Sequence, residues 1–437
     1  MTGMTRLLWF RRDLRLADLP ALLEAGTDDA DVLACYVLDP RLVASSGPRR
    51  LQFVYDSLRE LRDALDGKLL VTHGRPDTRI PAMAKAIEAT SVHVSAEFTP
   101  FGKARDEAVA AALGDIPLEA QGSPYLVSPG RVTKDNGTTY KVFTPYYRRW
   151  REHGWRAPAA SGAGSARWID PADVSGAGKN LDIPDPGTEL PYPAGEKAAR
   201  RRWKRFVDEH LADYADDRNR PDLDTTSRMS AYLHFGNIHP RTLAADVGGS
   251  ADGPSAYLRE LAFRDFYANV LNEWPRSSWW NFNSDFDGIE VDEDKEAETH
   301  LAAWKDGRTG FPIVDAGMRQ LRETGFMHNR VRMITASFLV KDLHLPWQWG
   351  ARWFLEQLLD GDIASNQHGW QWAAGSGTDA APYFRVFNPE TQGKKFDPDG
   401  VYVRRWIPEL GTPDYPDPIV DHGAERTEAL RRYGKLR

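Results

Sequence analysis

The sequence predicts an α/β N-terminal domain built on a parallel, Rossmann-like sheet, followed by a mainly α-helical domain. Three observations predict it. At 437 residues the chain exceeds the size at which a single core usually keeps growing, so two domains are expected. Of its 15 tryptophans only Trp9 precedes position 150, so the two parts differ in composition. Short aliphatic runs alternate with amphipathic stretches early in the chain, whereas helical periodicity dominates late.

In the first part, residues 6–10, 32–38, 68–72 and 92–96 are β-branched or aliphatic runs and read as strands. Between them Leu51, Val54, Leu58, Leu61 and Leu65 recur at helical spacing and mark one buried stripe. Strands joined through helices make a parallel sheet. No GxGxxG follows a strand and no GxxxxGK[ST] occurs, so the usual glycine cradles for dinucleotides and triphosphates are unsupported. Gly74 reads as a turn residue. Residues 154–196 are rich in Gly, Pro, Ala and Ser and fit a long surface segment. The expected organisation is an α/β domain over 1–130, a connector over 131–196 and a helical domain over 197–437. Helical periodicity marks 200–211, 258–273, 297–305, 313–322, 330–343 and 349–359.

Composition bounds the function. With 41% apolar and 27% charged residues, and no uninterrupted apolar run of about 18 residues, no membrane span is expected. Residues 1–10 lack a signal pattern, so a cytoplasmic protein is expected. The one cysteine, Cys35, reads as a small buried hydrophobe. A net charge of -7 argues against an indiscriminate nucleic-acid binder, so any DNA affinity requires a local basic patch.

Candidate chemistry lies in the helical half. Asp360-Gly361-Asp362 places two carboxylates on a turn, followed by Asn366, His368, Trp370 and Trp372. A hard metal ion would need more oxygen ligands than this loop offers, and no metal is expected. The two acids either cap a helix or pair with buried cations. Arg330 and Arg332 stand at i and i+2, on different helix faces, so one can meet a buried carboxylate and the other solvent or phosphate; each alone also reads as a solvated helix charge.

Taken together, Trp9 to Leu16, Thr226-Ser227-Arg228-Met229-Ser230, 310–316, Met327-His328-Asn329-Arg330 and 360–372 resemble the cryptochrome/photolyase family over essentially the whole chain. They are most similar to class I cyclobutane pyrimidine dimer photolyases. The resemblance implies FAD in the helical domain, held by Tyr214, Thr226, Ser227, Arg228, Met229, Ser230, Asn329, Arg332, Asp360, Gly361, Asp362 and Asn366. The hydroxyls of Thr226 and Ser227 suit a pyrophosphate, Arg332 and Asp360 an internal ion pair, and Asn366 an amide beside the redox nitrogen.

The same resemblance implies a monomer acting on UV-damaged DNA with a flipped-out pyrimidine dimer. Glu260, Asn329, Met333 and Trp372 would be catalytic, and Arg218, Phe263, Arg264, Arg330, Arg385 and Lys395 would contact DNA. A protonated Glu260 would hydrogen-bond a pyrimidine carbonyl. Photoexcited reduced FAD would give an electron to the dimer, the ring would split, and the electron would return. Trp370 and Trp347 match the inner members of the family's electron chain. An outer tryptophan is absent from residues 289–298, and Phe263 replaces the family's usual tryptophan. Those two departures keep a cryptochrome-like photoreceptor in view, and a light-independent flavoprotein or DNA-binding scaffold stands behind it. In the N-terminal domain, Arg50, Phe101 and Lys103 would serve a light-harvesting antenna, with 8-hydroxy-5-deazaflavin favoured over methenyltetrahydrofolate.

Overall fold

A computed structural model describes residues 4–436 apart from 163, 165, 381, 383 and 384. Its sheet contains β1 (Thr5–Phe10), β2 (Asp31–Leu38), β3 (Leu69–His73), β4 (Ser91–Val94) and β5 (Leu118–Ala120), ordered β3-β2-β1-β4-β5. All pairings are parallel. Helices cover both faces, which is why β1 is apolar on successive residues rather than alternating. Leu8 and Phe10 face the core that holds Leu58 and Leu61, whereas Leu7 and Trp9 face Ile80, Met83 and Val109. The strand order reverses direction at β1, the position where α/β sheets present residues to ligands and partners. Arg11 to Arg15 leave the sheet there, towards the helical domain.

The four expected strands correspond to β1–β4. The sequence did not signal β5, a short edge strand of half-buried and exposed residues, or the two-residue β6 (Arg167–Trp168), which adds to β2 at Asp31 and Val32. A helix precedes the Gly- and Pro-rich stretch 154–196. Helix α1 (Phe143–His153) buries Phe143, Tyr146 and Trp150. Its anchor is Asp265 on helix α2 (Asp252–Glu273), which accepts from Trp150 Nε1 at 3.0 Å and from the backbone N–H groups of Val127 and Leu126 at 2.7 and 3.3 Å.

The expected helices are present with boundaries shifted by a few residues. Glu196–Glu209, Lys295–Asp306 and Pro312–Thr324 join α2, α3 (Asn329–Lys341), α4 (Trp347–Gln357) and α5 (Ile363–Ala374). Pro312 supplies the pre-set φ of a first helical residue, and Gly325 closes the same helix in the left-handed conformation, φ 67°. Together α2, α3, α4 and α5 surround the site. Among the described residues no helix is long and apolar enough to cross a membrane.

Candidate active site

Between α2, α3, α5 and the segment 214–234 lies a cavity of about 580 Å3, within the range of cofactor clefts. Tyr214, Thr226, Ser227, Arg228, Met229 and Ser230 line it. Asn329, Arg332, Asp360, Gly361, Asp362 and Asn366 line it too, so all the residues expected to hold the flavin are brought together. Tyr257 joins them, its hydroxyl 3.0 Å from Ser227 Oγ.

The acidic loop answers both readings of its sequence. Arg332 Nη2 donates to Asp360 at 3.0 and 3.2 Å, forming the expected ion pair, and Arg332 Nε donates to the Met327 carbonyl at 2.8 Å. Burial pushes the Asp360 carboxyl up, but Arg332 and the Ser230 hydroxyl outweigh it and leave the group below the usual carboxylate range. Asp362 is a helix cap as well as an ion-pair partner: it accepts from Ser365 N at 3.0 Å and from Arg12 Nη2 at 2.8 Å. His328 caps α3 through Nδ1, which accepts from Arg330 N at 3.2 Å. Burial and the neighbouring Arg332 and Arg330 push His328 down to about 3, so it is neutral.

These groups fit FAD. Among the described residues, Arg218 Nε and Arg228 Nε of the cavity lining, and Oγ1 of Thr225 next to the lining residue Thr226 in sequence, are buried donors without hydrogen-bond partners, a deficit that a phosphate-bearing ligand would satisfy. Asn366 Nδ2 is committed to the Ala351 carbonyl at 3.0 Å and to Gln367 Oε1 at 2.7 Å. The Asn366 amide oxygen is therefore what it offers to a bound group.

Glu260, Phe263, Arg264, Asn329, Arg330, Met333 and Trp372 line the same cavity. Arg218 Nη2 stands 2.7 Å from Glu260 Oε1, but out of line for a hydrogen bond. Burial raises Glu260 above its ordinary value, with Arg218 opposing. Arg330 is held by Asn219 Oδ1 at 3.2 and 2.8 Å and lies 4.4 Å from the centre of the Phe396 ring. Phe263 stacks on Phe143 of α1, with centroids 3.5 Å apart and planes 6° from parallel. Arg385 and Lys395 are exposed outside the cavity.

Of two further arginines, Arg264 stays in the pocket lining and Arg50 departs from the sequence reading. Arg264 lines the cavity, and its guanidinium donates to the Pro124 and Leu233 carbonyls at 2.7 and 3.2 Å and lies over Tyr125. Arg50 does not join Phe101 and Lys103. It is buried, and its Nε donates to the Leu358 carbonyl at 2.9 Å. Phe101 is exposed beneath Arg41, and Lys103 Nζ reaches Asn272 Oδ1 at 3.4 Å.

Trp370 lines the cavity, packed on Phe354 and on the buried Trp304. Its ring lies directly over Gly350, where any Cβ would overlap it. Gly350 is one turn beyond Trp347 on α4, so both tryptophans share that helix face. Trp347 is buried and donates through Nε1 to Asn281 at 3.0 Å. It walls a second cavity of about 310 Å3 together with Trp349, Val291 and Glu293. The stretch lacking an outer tryptophan thus does face Trp347, and Trp349 stands in the same wall. Sequence reasoning missed Asn219, Tyr257 and Phe143, whose only signal was polarity or aromaticity. It also gave Arg12 no role within a stretch read as a strand and loop.

An α/β domain joined to a helical domain with a cofactor-sized cavity between its helices is the arrangement of a two-domain flavoprotein. A family model described as DNA photolyase matches residues 6–163, and one described as FAD binding domain of DNA photolyase matches residues 257–413. The deoxyribodipyrimidine photo-lyase of Escherichia coli is 37% identical over 474 residues, covering 99% of each chain. That of a Thermus thermophilus strain is 40% identical over 438 residues, covering 98% of this chain and 97% of its own. A class III photolyase structure from Agrobacterium tumefaciens superposes with a TM-score of 0.90 at 32% identity, covering 100% of this chain and 98% of its own. The Synechocystis cryptochrome gives 0.89 at 28% identity, covering 99% and 100%. The chain belongs to the cryptochrome/photolyase family.

Proposed function

We propose that the chain is a deoxyribodipyrimidine photo-lyase that repairs cyclobutane pyrimidine dimers in UV-damaged DNA. The observation that carries this reading is one cavity lined both by the flavin-holding set and by Glu260, Met333 and Trp372. Reduced FAD, when bound and illuminated, supplies the electron that splits the dimer. The protein contributes binding, orientation and charge. Arg332 and Asp360 neutralise each other at the wall, Asn366 presents its amide oxygen, and the hydroxyls of Thr226, Ser227 and Ser230 face the ligand side. Burial raises the Glu260 carboxyl above its ordinary value against the pull of Arg218, and in its protonated form it would donate a hydrogen bond to a pyrimidine carbonyl where negative charge develops. Trp372 and the open face of Phe263 stack on the extruded bases, each worth roughly 1 to 3 kcal/mol. Extrusion is cheapest for a cross-linked pair that is already poorly stacked. Trp347 and Trp370 relay electrons inward from the protein surface.

For the antenna, we propose 8-hydroxy-5-deazaflavin rather than methenyltetrahydrofolate, with Phe101 and Lys103 as candidate contacts and Arg50 withdrawn. A related archaeal structure from Sulfolobus tokodaii contains two FAD molecules, with the implication there of a novel light-harvesting cofactor. The absorption spectrum of the purified protein distinguishes these chromophores.

Repair is tested by illuminating the prereduced protein with thymine-dimer DNA under blue light, beside a dark control. Light-dependent loss of dimers is expected. Flavin photoreduction without dimer loss would replace the repair reading with the photoreceptor one, which the altered 289–298 stretch and Phe263 favour.

A further inference from the structure

Two arginines of the α/β domain end at the helical-domain loop that carries Asp360 and Asp362. Arg12 follows β1 directly. Its Nε donates to the His234 carbonyl at 3.0 Å, its Nη2 to Asp362 Oδ2 at 2.8 Å, and its Nη1 stands 3.7 Å from Glu97. Arg50 lies on helix Pro48–Ala64. Its Nε and Nη2 donate to the Leu358 carbonyl at 2.9 and 2.6 Å, and Nη2 also donates to the Leu355 carbonyl. Those carbonyls stand at the C-terminal end of α4, where acceptors lack intrahelical partners and positive charge is favoured.

The loop is therefore gripped at both ends. Its middle residue shows how closely. Gly361 does not have the positive φ that would demand glycine, yet a Cβ there would overlap Arg50 Nη2. A side chain at 361 would have to displace the guanidinium of Arg50 from the carbonyls that hold it. Neither Arg12 nor Arg50 lines the cavity, so both act through residues that do.

We propose that Arg12 and Arg50 are positioning residues of the flavin cavity: the α/β domain, through two guanidinium groups, sets where Asp360 and Asp362 stand and thereby sets the affinity and redox potential of FAD. The inference rests on reading the cavity as the FAD site. A side chain that only glued the domains together would alter thermal stability without altering the flavin. One that positions two carboxylates at the cavity wall alters the field in which the flavin is reduced.

The test uses the full-length holoprotein and measures the FAD dissociation constant, the flavin midpoint potential and the far-ultraviolet circular dichroism. Arg12→Met and Arg50→Ala are each expected to weaken FAD binding about tenfold, the scale of one charge-assisted hydrogen bond, and to shift the potential. Arg12→Lys retains charge beside Asp362 and is expected to recover much of the potential. Arg50→Lys is not expected to recover affinity, because an ammonium lacks the planar fork that serves two carbonyls. The sharpest comparison is Gly361→Ala, which is expected to weaken FAD binding in the native background and to add nothing in Arg50→Ala, the non-additivity expected of two positions in direct contact. Equal effects of Gly361→Ala in both backgrounds, or native affinity and potential in folded Arg12→Met and Arg12→Lys, would overturn the proposal. A native chain that takes up no FAD would instead remove the reading beneath it, and the proposal with it.

Discussion

Glu260 shows how one residue's surroundings suit a task. Burial raises its carboxyl above the ordinary value while Arg218 pulls the other way. The unfolded chain releases this proton near pH 4.3, so the folded chain holds it to higher pH. The stabilising contribution is fully present below the unfolded value and is lost as pH rises through the raised folded value. Activity should follow the same direction, because only the protonated form donates to a pyrimidine carbonyl. Repair by the native protein is expected to decline as pH rises through that range, whereas Glu260→Gln, which keeps an N–H donor at every pH, should give a flatter profile. Glu260→Ala is expected to lose roughly a hundredfold in repair rate, the scale of one lost transition-state donor. Initial rates of dimer loss under constant illumination between pH 5 and pH 9 check all three.

At the scale of elements, two packing arrangements make definite demands. Helices α4 and α5 approach so closely that the Trp370 ring occupies the space of a side chain at position 350. Gly350→Ala should therefore displace the indole, destabilise the protein by about 1 to 3 kcal/mol as overpacked cores do, and slow photoreduction of oxidised flavin. Denaturant midpoints and flavin bleaching rates report the two effects separately. Where α1 meets α2, burial pushes Asp265 up to about 6 while it accepts from Val127, Leu126 and Trp150. Asp265→Ala would leave those donors unpaired, at a cost of roughly 2 to 5 kcal/mol, with faster hydrogen exchange at Leu126 and Val127. These contacts also mark the limit of what the sequence discloses. Strands β1 to β4 are legible because burial makes them largely apolar runs, and β5 and β6 are not because they are only three and two residues long and half-buried to exposed. The DGD loop and the Arg332–Asp360 pair are legible because a carboxylate near a buried guanidinium is a physical necessity. The partnership of Phe143 with Phe263, and of Arg50 with Gly361, joins residues over a hundred positions apart and leaves no periodic trace in either segment.

The whole molecule carries a net charge of -7, so its overall field opposes DNA and affinity is expected from a local basic patch. The candidates there differ in how free they are. Arg385 and Lys395 are exposed. The Arg385 carbonyl accepts from the buried Lys341 Nζ at 2.9 Å, which fixes its backbone beside the cavity-bearing helices. Arg330 is half-buried between Asn219 and Phe396 but keeps its charge at the rim. Arg264 has its guanidinium committed to two carbonyls. Each phosphate neutralised by a protein cation releases counterions and contributes about 0.9 to the slope of log affinity against log salt concentration. Arg385→Ala and Lys395→Ala should each reduce that slope by about one, and should weaken binding of damaged and undamaged duplexes alike. Arg264→Ala should leave the slope unchanged and appear in thermal stability instead, because its lost partners are carbonyls of the protein. Binding isotherms for dimer-containing DNA from about 50 to 200 mM salt separate the two classes of arginine, and a slope unchanged in Arg385→Ala would remove that residue from the DNA interface.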